Sequence, residues 1–320
     1  MQTDRNRLPR NSRSVIRWIG ITLALLCLPM LNQAAPVAIA VFYPEVGEPF
    51  RAVFEQIIQG IETQASVRRY PLRENQDVNA LRASFLKQGA VAIVALGQRG
   101  VKAAGELNVA VPVIAGAVLS FSDDSPANRA GISLAPDPAL LLERLRSLAP
   151  EVRRVTTVYG ERSAWLLERA QAAAKLQGLD LITRQASDPR AAAQAYREFS
   201  QRAVDRHDAL WLMDTATLDE AAVLPMLLEQ AWNRNVVLFS SSLNHVPKGA
   251  LFALYPDNIQ LGRRLATSAL NRVREPASSG AAAFLPLQDV RIAVNLRTAT
   301  HLGLDLDARR HGFDLVFPAP

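Results

Sequence analysis

The chain has 320 residues, of which 49% are hydrophobic and 21% charged, with 16 glycines and 19 prolines. This composition allows a substantial core and two domains of typical size, and it excludes a disordered, collagen-like or low-complexity chain. The formal net charge is +6, but five arginines and one aspartate lie in residues 1–35, so only about +2 is spread over the remainder, too little to favour a nucleic-acid partner.

The first 35 residues have the parts of an export signal. Arginines precede an apolar stretch of 14 residues, Trp18–Leu31, and an alanine pair follows it. The stretch is shorter than the roughly 20 residues that span a bilayer, and Pro29 interrupts it. We therefore expect residues 1–35 to be a signal peptide and the protein to be periplasmic, with an uncleaved anchor as the alternative. The one cysteine, Cys27, lies within the stretch, so the processed protein would contain no disulfide.

Downstream of residue 36, short apolar runs alternate with segments of helical period. The first run, Val37–Tyr43, has the length and composition of a strand buried on both faces. The next segment, Glu48 to about Gln64, places large apolar residues at helical spacing. The same reasoning predicts strands at 67–72, 90–96 and 111–118, and helices at 78–87 and 100–107.

The alternation begins again at Asp137–Ala149, a predicted helix that Asp137 caps and Pro138 starts. Further strands are predicted at 154–159, 179–184, 209–214 and 236–240, with helices at 162–177, 189–206 and 219–233. The last part of the chain has a predicted helix at 257–274, a linker at 276–283 and a strand at 290–294.

This order of elements predicts an α/β fold. Alternating strands and helices form right-handed crossovers and parallel sheets with helices on both faces. We expect two doubly wound lobes joined by a hinge. Lobe 1 would comprise 36–134 and about 250–285, and lobe 2 would comprise 135–249 and about 286–320. Since ligands bind beyond the carboxyl ends of such strands, two facing sheets predict a ligand cleft between the lobes.

Three stretches carry a family resemblance. Ala209–Thr217 is a strand that ends in Asp before a Thr turn, and Val246–Arg264 combines a glycine–alanine strand, an acidic turn and a leucine–glycine helix. Val294–Leu304 contains an asparagine–leucine–threonine–alanine–leucine–glycine pattern. Together they resemble the periplasmic substrate-binding proteins of ABC transporters, in the subgroup similar to tryptophan/tyrosine-type receptors. The resemblance implies a type I periplasmic-binding fold, a ligand held in a hinged cleft, and no catalysis.

Two features differ from that family's pattern. Asp257 of the acidic turn is followed by Asn258 and Ile259, where the family usually has tyrosine. The loops Tyr43–Glu45 and Gly97–Arg99 of the first lobe also depart from it. Because these loops would line the cleft, the resemblance carries over the fold and leaves the ligand open.

Three tyrosines are candidate ligand-binding residues. Tyr43, Tyr159 and Tyr255 fall at the carboxyl ends of predicted strands. A tyrosine there offers a flat apolar face for stacking and a hydroxyl for hydrogen bonding. The alternative is that each ring packs against its own loop.

Two aspartates and a threonine are further candidates. Asp214 ends a strand of large apolar residues and could pair with a ligand amine, beside Thr215; the alternative is that either residue caps the next helix. Asp257, in the acidic turn of the stretch Val246–Arg264, is a further candidate that the resemblance implies.

Polar residues at two other strand ends complete the set. Gln98 and Arg99 lie in a glycine-flanked turn before a helix, where an arginine and backbone amides could hold a carboxylate, or simply form a surface turn. Ser240 opens a run of three serines that supplies hydroxyl groups, although serine clusters also form ordinary turns.

Catalytic motifs are missing from the sequence. It contains no Gly-x-Ser-x-Gly elbow and no His-Glu-x-x-His pair. We expect no enzymatic activity, no cofactor and no metal.

We expect a monomeric solute-binding component of an ABC importer. Its partners would be a small molecule, such as an amino acid or related carboxylate, and an inner-membrane permease, with no nucleic acid. The alternative is a ligand-sensing or accessory protein that presents its bound state to a membrane histidine kinase or an outer-membrane uptake system.

Overall fold

The structure is a computed structural model that describes residues 38–121, 130–213, 220–275, 284–307 and 311–318. The expected signal peptide, the linker at 276–283 and the candidates Asp214 and Thr215 lie outside the described residues. None of the described helices is long and apolar enough to cross a membrane.

Strands and helices alternate along most of the chain. The strands are β1 (Ala38–Pro44), β2 (Ser66–Leu72), β3 (Ala92–Leu96), β4 (Val113–Val118), β5 (Ala130–Pro136), β6 (Arg154–Tyr159), β7 (Asp180–Gln185), β8 (Asp208–Leu212), β9 (Val237–Ser240), β10 (Phe252–Pro256), β11 (Phe284–Leu287), β12 (Val290–Asn295) and β13 (Leu315–Phe317). The helices are α1 (Phe50–Glu62), α2 (Val78–Gln88), α3 (Gly97–Leu107), α4 (Pro138–Leu148), α5 (Leu167–Leu176), α6 (Pro189–Arg202), α7 (Glu220–Asn233), α8 (Asn258–Arg274) and α9 (Leu296–His301).

These strands form two sheets. The first has the order β2-β1-β3-β4-β5-β11, and all of its neighbours are parallel. The second has the order β7-β6-β8-β9-β10-β12-β13, in which only the β10–β12 pair is antiparallel. When the strands of each sheet are numbered from its own first strand in the chain, both sheets contain the doubly wound order 2-1-3-4-5. The predicted fold class, an α/β protein with two doubly wound sheets, is therefore confirmed.

Helices cover both faces of the first sheet, which explains its continuous apolar runs. Side chains such as Ile39 and Val94 pack with residues of α1 and α8 on one face. Phe42 and Ile93 pack with residues of α2 and α3 on the other. The second sheet is also buried on both faces: Trp211 belongs to one of its cores, which includes α4 and α5, and Leu210 to the other, which includes α6 and α7.

A glycine pair sets the distance between α1 and α8, the two helices with the most extensive contact. A Cβ atom on Gly60 would overlap the carbonyl oxygen of Ile259, and one on Gly262 would overlap the carbonyl oxygen of Ile57. The backbones therefore touch where both residues lack side chains. This explains the leucine–glycine pattern seen in the sequence at Leu261-Gly262.

The chain passes between the two sheets three times. It leaves β5 at Asp137 for α4, leaves β10 at Asp257 for α8, and leaves β11 at Gln288 and Asp289 for β12. The lobe boundaries predicted from the sequence placed these passages at about residues 134, 250 and 285. The structure differs most at β10, which lies in the second sheet because its apolar residues pair with β9 and β12.

The three crossings are joined by hydrogen bonds. The Asp137 amide donates to Leu287 O at 2.9 Å, and Gln288 Nε2 donates to the Asp137 carboxylate at 2.7 Å. The Asp257 amide donates to Asp289 O at 2.9 Å. The third crossing thus contacts both of the others, which makes the three segments one connected hinge region.

Candidate functional site

The carboxyl ends of the two sheets border a cleft of about 640 Å³. Elements of the first sheet contribute one wall and elements of the second contribute the other. In open parallel sheets this is the edge where ligands bind, close to the point where the strand order reverses. The lining residues are Gln98, 117–120, 134–135, 160–163, Trp165, Leu166, 185–187, Met213 and Ser241.

Gln98 lies at the start of α3 because no loop separates that helix from β3. Gly97 makes the turn with a φ of +68°, a conformation that favours glycine. The Gln98 side chain then reaches along the wall, where its Nε2 donates to Ser120 O at 2.9 Å. Only the amino end of the amide can donate to a carbonyl, so, among the residues that the structure describes, the Oε1 atom is left as an available acceptor.

Ser133 braces the same wall from below. Its hydroxyl, on a fully buried residue, donates to Leu119 O at 2.8 Å and accepts the Ala135 amide at 2.9 Å. Both Leu119 and Ala135 line the cleft. The buried hydroxyl therefore fixes the backbone at two points of the cleft surface.

The opposite wall contains a short 3₁₀ helix, Glu161–Leu166, that follows β6. Glu161 and Arg162 are exposed at its start and bring one negative and one positive charge to the cleft. Trp165, in the same helix, is half-buried and lines the cleft as well. This turn gives the second wall an apolar ring and both signs of charge within five residues.

Aromatic rings connect elements of the two sheets beside the cleft. Trp165 lies 4.9 Å from Phe284, centroid to centroid, with 51° between the ring planes. Phe284 belongs to β11 of the first sheet and also contacts Phe121, at 4.4 Å. The Trp165–Phe284 contact therefore joins an element of the second sheet to a strand of the first.

Ser241 contributes a hydroxyl at the end of β9. Its Oγ accepts a hydrogen bond from Nε1 of Trp211 at 3.0 Å, and its amide donates to Leu212 O at 3.0 Å. Trp211 is fully buried and stacks on Phe239, with 12° between the ring planes. A rigid core residue thus positions a hydroxyl that faces the cleft.

Of the described candidates from the sequence, Gln98 is the one that lines the cleft. Arg99, next to it, instead donates to Leu72 O at 3.2 Å. Asp257 caps α8 through the Gln260 amide and pairs with Arg291, so its carboxylate serves the hinge region. Asp214 and Thr215 lie outside the described residues.

The three candidate tyrosines lie at strand ends as expected, but their rings pack against the hydrophobic cores rather than lining the cleft. Burial raises the pKa of Tyr43, and Glu55 adds to the effect. Burial also raises the pKa of Tyr255; the negative charge of Asp314 adds to this effect, and Arg291 opposes it. Tyr159 contacts the core that contains Trp211.

Ser240 is fully buried, and its hydroxyl lies 2.7 Å from Nδ1 of His245. The Ser242 amide donates to the same oxygen at 2.9 Å. His245 is only 2% exposed, and its contact with Ser240 stabilises the turn after β9. Its neighbour Ser241 is the member of the serine run that reaches the cleft.

Sequence reasoning did not single out Trp165, Arg162 or Ser120. Each lies a few residues past the carboxyl end of a predicted strand, and this position was the one feature of the sequence that could have indicated a place in the cleft. Within the described part of the chain, no group of three or more His, Cys, Asp or Glu residues is arranged to hold a metal ion.

Comparison with solved structures assigns the architecture to the type I periplasmic-binding-like fold. The ligand-free, open structure of CD0873, a substrate-binding protein with adhesive properties from Clostridium difficile, matches with a TM-score of 0.60 and 17% identity, over 87% of this chain and 98% of that one. The ABC domain in complex with L-Trp from Streptococcus pneumonia matches with a TM-score of 0.55 and 17% identity, over 88% and 100%.

A conserved domain protein from Vibrio cholerae matches with a TM-score of 0.53 and 15% identity, over 88% of this chain and 99% of that one. No family model matches the sequence, and no curated protein matches it. At these identities the structural likeness shows the fold.

Proposed function

We propose that the protein is a periplasmic solute-binding component of an ABC importer, which holds a small molecule between its two sheets. The observation that carries the proposal is the cleft of about 640 Å³, whose walls come from both sheets and meet at their carboxyl ends. Its volume is in the range of small-molecule sites, and its lining mixes apolar surface with a few polar groups.

Binding between two walls supports a closure mechanism. A ligand that touches both walls binds more tightly when they are close together than when they are apart. Only this difference in affinity shifts the equilibrium towards the closed form. The three crossings, linked through Asp137, Asp257 and the segment 287–289, are the segments about which the sheets would rotate.

The cleft chemistry favours an amino acid or a related carboxylate. The Arg162 guanidinium is suited to a carboxylate and the Glu161 carboxylate to an ammonium group, while Trp165 offers apolar contact. The similarity to a domain solved with L-Trp supports the same class of ligand.

The periplasmic location rests on the basic and apolar pattern of residues 1–35. The proposed partner is an inner-membrane permease, and the protein would act as a monomer that presents its closed form. The departures of the first-lobe loops 43–45 and 97–99 from the family pattern favour a second candidate, a sensory or accessory protein. Neighbouring genes discriminate the two, since a permease and an ATPase support import and a kinase or receptor supports sensing.

A calorimetric screen of the processed protein tests the proposal. The panel contains the twenty amino acids, their amides, short peptides and small carboxylates, and mass spectrometry identifies what co-purifies with the native protein. We expect at least one compound to bind with micromolar or tighter affinity and to reduce the radius of gyration in solution scattering. Arg162→Ala should weaken binding of carboxylates at least tenfold, whereas Arg184→Ala, outside the cleft lining, should not. Absence of binding across the panel would contradict the proposed function.

A further inference from the structure

We propose that Ser241 and Gln98 recognise opposite ends of the ligand: the Ser241 hydroxyl donates to a ligand oxygen from the second sheet, and Gln98 Oε1 accepts an N–H or O–H group from the first. The inference rests on the proposed function and deepens it, because it specifies which hydrogen-bonding groups the ligand must carry. For an amino acid, the carboxylate would meet Ser241 in addition to Arg162, and the ammonium group would meet Gln98 in addition to Glu161.

The direction of the Ser241 hydrogen bond follows from Trp211. An indole Nε1–H is a donor only, so the 3.0 Å contact requires the Ser241 oxygen to accept. A serine hydroxyl has one hydrogen and two lone pairs, and the indole occupies one lone pair. Among the described residues, no acceptor takes the Ser241 hydrogen, which leaves it available to the cleft.

Trp211 is well suited to fix that hydroxyl. Its ring is fully buried and stacks on Phe239. Phe239 in turn stacks on Phe252, with the ring centroids 5.2 Å apart. The Ser241 backbone is held separately by the bond from its amide to Leu212 O. The oxygen is therefore positioned before a ligand arrives, and this lowers the entropic cost of ordering the side chain on binding.

Gln98 has the opposite polarity for an equally specific reason. The 2.9 Å contact with Ser120 O engages one amide hydrogen and turns Oε1 away from that carbonyl. A carbonyl oxygen cannot accept from another carbonyl, so the side chain cannot reverse without losing this bond. Gln98 thus presents an acceptor from the first wall, and Ser241 presents a donor from the second.

Paired ligands test this polarity by calorimetry. The probes are L-tryptophan, L-phenylalanine, L-leucine and L-glutamine, each with the corresponding amine that lacks the carboxylate. For the acids that bind, Ser241→Ala should reduce affinity about tenfold or more, as expected for a hydrogen bond to a charged group. The same substitution should leave the amines unchanged. Ser242→Ala, a neighbouring serine that does not line the cleft, is the matched control and should change neither.

Gln98→Ala should weaken the binding of both the acids and the amines, because each carries the ammonium group. Trp211→Phe should reduce the preference for acids over amines while keeping most of the ring packing. In the double variant with Ser241→Ala, Trp211→Phe should cause no further loss of preference, since the hydroxyl that it positions is gone.

A measurement without ligand separates the possible failures. The indole Nε1–H resonance of Trp211, assigned with Trp211→Phe, should shift in Ser241→Ala and stay in place in Ser242→Ala. An unshifted resonance would overturn the positioning by Trp211. Acids that bind wild type and Ser241→Ala equally would overturn the inference alone. A wild-type protein that binds no compound of the larger screen would overturn both the inference and the proposed function.

Discussion

Arg291 in β12 donates its Nε hydrogen to Oδ2 of Asp257 at 3.0 Å, and this pair joins the second crossing of the chain to the strand that follows the third. The other oxygen of the same carboxylate, Oδ1, accepts the Gln260 amide and caps α8. One side chain therefore both starts the helix that packs on the first sheet and holds the strand that enters the second.

Asp257→Ala should lower the free energy of unfolding by about 1–2 kcal/mol. Loss of the helix cap accounts for about 1 kcal/mol, and the ion pair adds less than about 1 kcal/mol because Arg291 is 48% exposed. Asp257→Asn keeps an oxygen for the cap and should cost less than about 1 kcal/mol. Urea unfolding of the three proteins checks the order, and equal losses in the two variants would contradict the capping role.

Gly262→Ala should destabilise the protein by about 2–3 kcal/mol, because the added methyl group overlaps the carbonyl oxygen of Ile57 and forces α1 and α8 apart. Gly47→Ala is the control. A Cβ there would meet no heavy atom within 4 Å, so its effect should stay within about 0.5 kcal/mol. Thermal and urea unfolding measure both. A Gly262→Ala variant as stable as wild type would show that the helix pair adjusts without cost.

The Arg154–Asp208 pair predicts a loss of stability in acid. Two guanidinium nitrogens donate to the two carboxylate oxygens at 2.7 and 2.8 Å. Burial alone would raise the pKa of Asp208, but the hydrogen bonds from Arg154 and from the Val204 amide outweigh it and lower the pKa below its ordinary value. The folded state therefore gains stability from this group above about pH 4, and that stability disappears as the pH falls through the lowered pKa.

Asp208→Asn removes this contribution and should cost about 2–3 kcal/mol at pH 7, with a weaker dependence on pH below 5 than in wild type. Urea unfolding at several pH values between 7 and 3 provides the comparison. Asp180→Asn, which removes an exposed carboxylate near Arg154, should change little at any pH. An acid dependence that persists unchanged in Asp208→Asn would assign it to other groups.

The sequence predicted the doubly wound fold because strands such as β1 and β8 are buried on both faces and therefore read as continuous apolar runs. It did not predict β5 or β11. These strands pair with each other, about 150 residues apart along the chain, and β5 contains a glycine and ends in a proline. Local composition carries little information about such a pairing.

The rule that ligands bind at carboxyl ends predicted the edge of the sheets at which the cleft lies, but it did not identify the side chains there. Tyr43 and Tyr255 end strands as predicted, and each contacts a hydrophobic core. Trp165 reaches the cleft from a 3₁₀ turn, whose direction no hydrophobic period specifies. Ser240 and Ser241 are adjacent in the chain, and the structure is needed to show that Ser240 is buried and that Ser241 lines the cleft.

Phe284→Ala tests the contribution of the aromatic contact between Trp165 and β11 of the first sheet. The substitution removes the ring that touches both Trp165 and Phe121, and aromatic pairs contribute about 0.5–1.5 kcal/mol each beyond the burial of their area. We expect unfolding to become easier by about 2 kcal/mol, the fluorescence of Trp165 to shift to longer wavelength, and the radius of gyration in solution scattering to increase. Trp165→Phe identifies the emission that belongs to this residue.

Two variants on the same strand control for a general effect of truncation. Phe284→Leu keeps apolar area without the ring and should fall between wild type and Phe284→Ala in all three measurements. Leu285→Ala changes a residue that is 42% exposed and should stay within about 0.5 kcal/mol of wild type. If Phe284→Ala lost stability while both the emission of Trp165 and the radius of gyration stayed constant, the ring would support β11 alone, and the contact would have no part in holding the two walls together.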